Sequence, residues 1–387
     1  MHRDDGYFRP DKASTERRPA TMWTGPPHTR ESAMQILSHA EIAELLSGHV
    51  DLRHRPGSVQ PVRFPVSEAA YYDPFNRWVA SCPAGVRIRV QTNSTRLRLV
   101  VAQRLSPPAA GAERRGAYDL FIDGCLDQRI WGDGGALVDP QTGNLTGDET
   151  NIIEFGDLPA RDKLLEIWLP QAGTVSITEL ALDPEADWAV AAEKGPLLLF
   201  HGSSITHCME ADGASAGWPA VAANLCGARH QNLGWAGSCL LSGQAARIIR
   251  DSTADAIILK LGINVWPEGM LKTRTFLDSA HAMISIIREK HPATPMVVIS
   301  PIYSPGREDA GDGLTLQTMR DLLEQVVAAR VQSGDLNIRY LSGLDLFGAD
   351  DAHMLPDDLH PNTAGYQLMG ERFYTRLLTG PSALVSA

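Results

Sequence analysis

Hydrophobic periodicity changes once along this chain, and the change divides it. Up to about residue 182 apolar residues alternate with polar ones. Val86, Ile88 and Val90 alternate with Arg87 and Arg89; after the turn-prone Thr92-Asn93-Ser94, Leu97, Leu99 and Val101 begin a run that holds Arg96 and Arg98. A period of two belongs to half-buried antiparallel strands. From Leu197 onward, continuous apolar runs of strand length alternate with segments of helical period. Such runs are buried on both faces, the condition of a parallel strand covered by helices on either side. Between the two patterns, Asp183-Pro184-Glu185 through Lys194-Gly195-Pro196 is rich in charge and Pro and reads as a boundary.

Upstream of the boundary, the spacing predicts a short helix over 39–47. Ser38 and Glu41 have capping-box spacing, Ile42, Leu45 and Leu46 share one face, and Gly48 marks the stop. Strands are expected at 118–124, 151–155, 164–169 and 175–182, separated by Gly and Pro. Short strands in that rhythm indicate an all-β sandwich of jelly-roll type over residues 33–183. The arginines at 87, 89, 96 and 98 read as a solvated sheet face. Residues 1–32 are charged and Pro-containing with no apolar core, which suggests a flexible lead-in and no secretory signal.

Downstream, strands are expected at 197–201, ending at 232–233, and at 256–261, 296–300 and 337–341. Helices are expected near 216–226, 240–251, 274–290 and 315–332, and from about 362. Five strands separated by helices make an α/β domain over 197–387, a five-stranded parallel sheet with flavodoxin-like winding. The length of 387 residues suits two domains at roughly 150 residues each.

Composition narrows the function. A net charge of −11 argues against nucleic acid and anionic membrane as partners, because polyanions require a basic footprint. No apolar run reaches the roughly 20 residues needed to cross a bilayer. Five widely spaced cysteines with no C-x-x-C pair suit free thiols in a reducing, cytoplasmic setting. His201, His207, His353 and His360 match no common ligand spacing, so no metal site is expected.

Four strand or loop ends carry the groups one serine mechanism requires. Gly202-Ser203-Ser204 follows the first strand, where glycine permits a tight turn and the Ser204 N–H can face a substrate oxygen. Gly237, in Asn232-Leu233-Gly234-Trp235-Ala236-Gly237, can offer an unhindered N–H. Asn264, after Gly262-Ile263, can donate its amide to an anionic oxygen. Pro356-Asp357-Asp358-Leu359-His360-Pro361-Asn362 places a histidine three residues after a carboxylate, close enough for Asp357 to set the ring's tautomer. Asp358 competes with Asp357 for that role. Trp218, Trp235, Trp266, Tyr303 and Cys239 lie near these loops in sequence, either as core packing or as walls of an acyl pocket. His207 reads as a pocket-rim residue.

Together these blocks resemble the SGNH, or GDSL, family of serine hydrolases and acyltransferases across about residues 197–378, in order and approximate spacing. The resemblance implies Ser204 as nucleophile, His360 as base and Asp357 as supporting carboxylate. It implies an oxyanion hole of the Ser204 and Gly237 N–H groups with the Asn264 side chain. The family's usual aspartates are replaced here by Ser203, before the nucleophile, and Val265, after the third-block asparagine. Neither position carries the proton transfer.

A sandwich ahead of such a domain is similar to carbohydrate esterases that deacetylate plant glycans. It is also similar to a GDSL salicylyl-acyltransferase of tetracycline-type pathways, which esterifies a polyketide alcohol. The absence of an export signal and the Trp-bearing loops favour acyl transfer to an alcohol of a small natural product. Hydrolysis of small-molecule or carbohydrate esters is the alternative. No bound cofactor is expected; an acyl-CoA or similar thioester is the candidate co-substrate. The partners are then a small-molecule acyl donor and an alcohol acceptor.

Overall fold

The computed structural model describes residues 33–107, 116–139, 142–267, 270–309 and 314–385. The expected lead-in at 1–32 lies outside the described residues. Downstream of the boundary the five strands form one parallel sheet: β1 (Leu197–Gly202), β2 (Arg229–Gly234), β3 (Ala256–Lys260), β4 (Met296–Ile299) and β5 (Ile338–Leu341). Their spatial order is β2-β1-β3-β4-β5. This is the flavodoxin-like winding, whose reversal at β1 opens a crevice at the carboxyl ends of the strands. Ser204, Gly237 and Asn264 all follow strands at that edge.

Side chains on β1, β3 and β4, including Leu198, Phe200, Ile258 and Val298, are fully buried. Helices cover both faces, and their starts follow local chemistry. Ser242 accepts from Ala245 N at 3.2 Å at the head of Gly243–Asp251. Thr315 caps Leu316–Gln332, and Asn362 caps Thr363–Phe373. Phe276, Ala280, Met283, Ile284 and Ile287 line the buried stripe of Thr273–Arg288.

Upstream, strands form an eight-stranded and a six-stranded sheet, with mainly antiparallel pairing. One apolar cluster draws on both, from Leu99, Val101 and Ile177 on the first to Ile88, Leu120 and Ile167 on the second. The helix His39–Leu45 carries its capping box: Ser38 N donates to Glu41 Oε2 at 2.6 Å and Glu41 N to Ser38 Oγ at 3.3 Å. The boundary segment 183–196 includes a short strand, Trp188–Val190, paired with Arg87–Thr92. A helix that the periodicity does not announce spans Pro74–Ser81, started by Asp73 and a first-turn proline. Its eight residues expose Phe75 and bury Val79 and Ala80, too short a stripe to read from spacing.

The arginine face divides in the structure. Arg96 and Arg98 are half-buried and pair with Asp183 at 2.7 Å and Glu179 at 2.6 Å. Arg87, expected in solvent, is 5% exposed. Its guanidinium lies 4.8 Å from the Trp168 ring centre and 3.4 Å from His230 Nδ1, where β2 packs over the sheet. Pattern alone could not show that this stretch of strand is covered by another element.

A buried tie between the β-rich half and the carboxyl edge of the parallel sheet is Arg63. It is fully buried and bonds to four backbone carbonyls. Nε donates to Cys82 O (2.6 Å), Nη2 to Val79 O (2.8 Å), and Nη1 to Asn232 O (2.9 Å) and Gly234 O (2.6 Å). Burial lowers its pKa to about 10, so it stays cationic at neutral pH. Substituting Arg63 by Met keeps most of the volume but leaves those carbonyls dry. At ~1–3 kcal/mol per unsatisfied buried group, the expected loss is about 3 kcal/mol or more. Chemical denaturation of the two proteins checks it; equal midpoints and slopes would contradict this account of Arg63.

Candidate active site

The site begins with a turn. β1 ends at Gly202, and Ser203 caps the four-residue helix Ser204–His207 through a hydrogen bond from Ile205 N to its Oγ at 3.3 Å. Cys208 ends that helix in the left-handed region, with φ 62°. Ser203 is 0% exposed and Ser204 9%, so only the second hydroxyl is reachable from solvent. Capping explains how Ser203 substitutes for an aspartate: any short oxygen acceptor at this position satisfies the first-turn N–H.

Ser204 Oγ lies 2.8 Å from His360 Nε2, and His360 Nδ1 lies 2.6 Å from Asp357 Oδ2. Asp357 Oδ1 accepts from the N–H groups of Leu359 (3.1 Å) and His360 (2.7 Å), which holds the carboxylate under the ring. Burial would raise the Asp357 pKa, but these hydrogen bonds and the His360 charge hold it well below the usual carboxylate range. Asp358 turns elsewhere: its φ is 60°, and its carbonyl oxygen accepts from Ser304 Oγ (2.6 Å) and Arg307 Nη1 (3.0 Å). Of the two aspartates, Asp357 is the one at His360.

Burial pushes the His360 pKa down, yet Asp357 and a second carboxylate, Glu210, outweigh it, and the net shift is upward. Glu210 is itself held by Tyr366 Oη, which donates to Oε2 at 3.1 Å. Neither residue stands out in sequence, because Glu210 sits outside the four polar blocks and Tyr366 reads as helix core.

Gly237 adopts φ +67°, the left-handed region open to glycine. A Cβ there would also lie 3.1 Å from Cε1 of Phe75. Among the described residues, no acceptor pairs with the N–H of Ser204 or Gly237. The Asn264 side-chain oxygen accepts from Cys239 N at 3.0 Å, which turns the amide nitrogen away from Cys239 as a donor. Asn232 joins two of the blocks: Nδ2 donates to Thr206 O at 2.8 Å, and Oδ1 accepts from Gly234 N at 2.8 Å. Asn232 and the Cys239 N–H hold the loops in place, and only the folded arrangement reveals their partners.

The pocket candidates separate by depth. Trp235 is 2% exposed and packs edge-on against Tyr72 and His201. His207, 1% exposed, donates from Nε2 to Gln171 O at 2.8 Å and accepts from Ala236 N at 3.4 Å. Both brace the loops from inside. Trp266 and Tyr303 are only partly buried, and the Arg307 guanidinium lies 5.7 Å from the Trp266 ring centre. His201 donates from Nδ1 to Leu233 O at 2.8 Å; burial takes its pKa down to about 4, so it is neutral.

A reachable hydroxyl on a histidine–carboxylate relay is equipped for acyl transfer through a serine ester. Residues 200–368 match the model of the GDSL-like lipase/acylhydrolase family. They form a GDSL-type domain. The protein is an enzyme, an acyltransferase or ester hydrolase. In structure the chain is similar to the salicylyl-acyltransferase SsfX3 from a tetracycline biosynthetic pathway. Identity is 28%, the match covers 88% of this chain and 95% of that one, and the TM-score is 0.77. A family two carbohydrate esterase from Clostridium thermocellum, in complex with cellohexaose, shares the fold at 15% identity, 86% and 98% coverage and a TM-score of 0.59. One from Cellvibrio japonicus does so at 14% identity, 89% and 97% coverage and a TM-score of 0.57. No curated protein matches this chain in sequence.

Two outcomes are expected of the carboxylates. Asp357→Asn should lower kcat by roughly 10²–10⁴, through loss of tautomer control and of imidazolium stabilisation, while Asp358→Asn should leave it nearly unchanged. A base must be neutral, so activity falls as pH drops through the His360 pKa. Glu210 favours the protonated ring; Glu210→Gln should therefore move the acid limb of kcat/KM to lower pH. A pH–rate profile of the variant checks the sign.

Proposed function

We propose that this protein is a serine-dependent acyltransferase that moves an activated acyl group, aryl groups such as salicylyl included, onto an alcohol of a small natural product such as a polyketide. The observation that carries the serine chemistry is the relay from Ser204 Oγ through His360 to Asp357, at 2.8 and 2.6 Å. The preference for transfer is supported by the similarity to a salicylyl-acyltransferase over 88% of the chain, which takes in both halves. In this reading residues 33–183 form a jelly-roll-type sandwich domain, and 197–387 the SGNH catalytic domain. No helix among the described residues is long and apolar enough to cross a membrane. All five cysteines are free, as suits a cytoplasmic enzyme.

Ser204 Oγ attacks the acyl carbonyl while His360 Nε2 takes its proton, and Asp357 stabilises the resulting imidazolium. The Ser204 and Gly237 N–H groups and the Asn264 amide receive the oxyanion. Collapse expels the donor's leaving group, which takes the proton from His360. The acceptor alcohol then attacks the Ser204 ester with His360 again as base, and Oγ recovers the proton. Trp266 and Tyr303 wall the acyl pocket, while Trp235 and His207 support it from behind.

The competing reading is an esterase or deacetylase, in which water resolves the same intermediate; the shared fold of the carbohydrate esterases keeps it in view. Intact mass spectrometry of protein mixed with an aryl thioester should show a single acyl adduct that Ser204→Ala lacks. Asn264→Ala should slow its formation by about 10²–10³. Partition of the adduct between water and added alcohols decides the acceptor. Acid release that no alcohol diverts would establish the esterase; an adduct on Ser204→Ala protein would remove the nucleophile assignment.

A further inference from the structure

A cavity of about 460 Å³ lies on the β-rich half, against the helix Pro74–Ser81. Arg53, Arg55, Arg77 and Arg104 line it together with Glu149. Glu149 pairs with Arg104 at 3.0 Å. Among the described residues, the other three guanidiniums have no carboxylate within ion-pair distance. Arg53 donates to Gln60 Oε1 at 2.9 Å and lies 5.7 Å from the Phe64 ring centre. Burial, followed by repulsion from Arg55 and Arg77, holds its pKa down. Trp78 is also on the lining.

This concentration of charge runs against the chain as a whole, whose net charge is −11. Three clustered, uncompensated cations repel one another. An anion with several acceptor oxygens relieves that repulsion, and guanidinium forks suit phosphate and carboxylate oxygens. Pro74, Arg77, Trp78 and Ser81 present one face of the helix to the cavity at i, i+3, i+4, i+7 spacing. Phe75, on another face, sits against Gly237 of the oxyanion loop. One helix, about 10–12 Å across with its side chains, therefore borders both the basic cavity and the site of acyl chemistry. A donor that carries its phosphates at one end and its acyl group at the end of a flexible arm has that shape.

We propose that this cavity binds the phosphate groups of a phosphopantetheine-type thioester donor, such as an acyl-coenzyme A, with the acyl arm passing along the helix Pro74–Ser81 to Ser204. The assignment of the ligand as acyl donor rests on the acyl-transfer reading of the site; the anion cavity does not.

Calorimetric titration of the wild-type protein with coenzyme A, inorganic phosphate and a phosphate-free N-acetylcysteamine thioester tests it. Coenzyme A should bind more tightly than inorganic phosphate and weaken with rising salt. Arg53→Gln/Arg77→Gln should weaken coenzyme A by roughly tenfold or more, as expected for lost charge-assisted hydrogen bonds. Arg55→Gln and Arg77→Gln alone remove exposed side chains and should fold normally, with smaller losses of the same sign. In turnover, the double variant should raise KM for the acyl-coenzyme A and leave kcat/KM for the acyl-N-acetylcysteamine unchanged. Absence of coenzyme A binding, binding indifferent to all the arginine substitutions, or affinity equal to that of inorganic phosphate would each overturn the proposal. Coenzyme A binding that needs these arginines, in a protein whose Ser204 accepts no acyl group, would uphold the cavity and remove the acyl-transfer reading.

Discussion

Arg63 is the interaction on which the rest of the site depends. A guanidinium taken fully out of water without a carboxylate partner is costly, and it is stable here because four carbonyl oxygens replace its hydration. Two of those carbonyls, Val79 and Cys82, belong to the helix Pro74–Ser81 and the residue that follows it. The other two are Asn232 and Gly234 at the carboxyl end of β2. The side chain of Asn232 then reaches Thr206 O in the Ser204 turn and Gly234 N at the end of its own strand. One cation and one amide thus tie together the Ser204 turn, the loop after β2 and the helix that carries Phe75. The β-rich half is part of the frame of the active site.

Within that frame, chemistry is tuned by a balance of burial against charge. His360 is desolvated, which alone would make it a poor proton acceptor at neutral pH; Asp357 and Glu210 reverse the shift. His201, also buried at a strand end, has no carboxylate to offset its burial and stays neutral as a structural donor to Leu233 O. The two histidines show that position at the sheet edge does not confer a role. The nearby carboxylates do. The neighbouring loops are fixed by backbone geometry in the same way: the Cys239 N–H occupies the Asn264 carbonyl, and Gly237 sits in the left-handed region.

Much of the domain and its polar blocks was legible in the chain, because both rest on local rules. Apolar runs at strand length placed β1 to β5 within a few residues, and the Ser38–Glu41 spacing marked the start of the helix His39–Leu45. The helix Pro74–Ser81 escaped because two turns leave too short a periodic stripe, and Arg87 was misplaced in solvent because what covers a strand is not encoded in its alternation. Arg63, Glu210 and the Cys239 N–H were invisible for a related reason. Their partners lie far away in sequence or on unremarkable backbone, where no spacing signals them.

The sequence by itself determined a parallel α/β sheet preceded by β-strands, with Ser204, Gly237, Asn264, Asp357 and His360 at its loop ends, since periodicity and short-range motifs are local properties. Only the tertiary structure chose between adjacent candidates. It buried Ser203 and left Ser204 reachable, turned Asp357 to the imidazole and Asp358 away, and drew Trp235 and His207 inside while Trp266 and Tyr303 stayed partly exposed. Those choices follow from burial and from hydrogen bonds between distant segments, which exist only once the chain has folded.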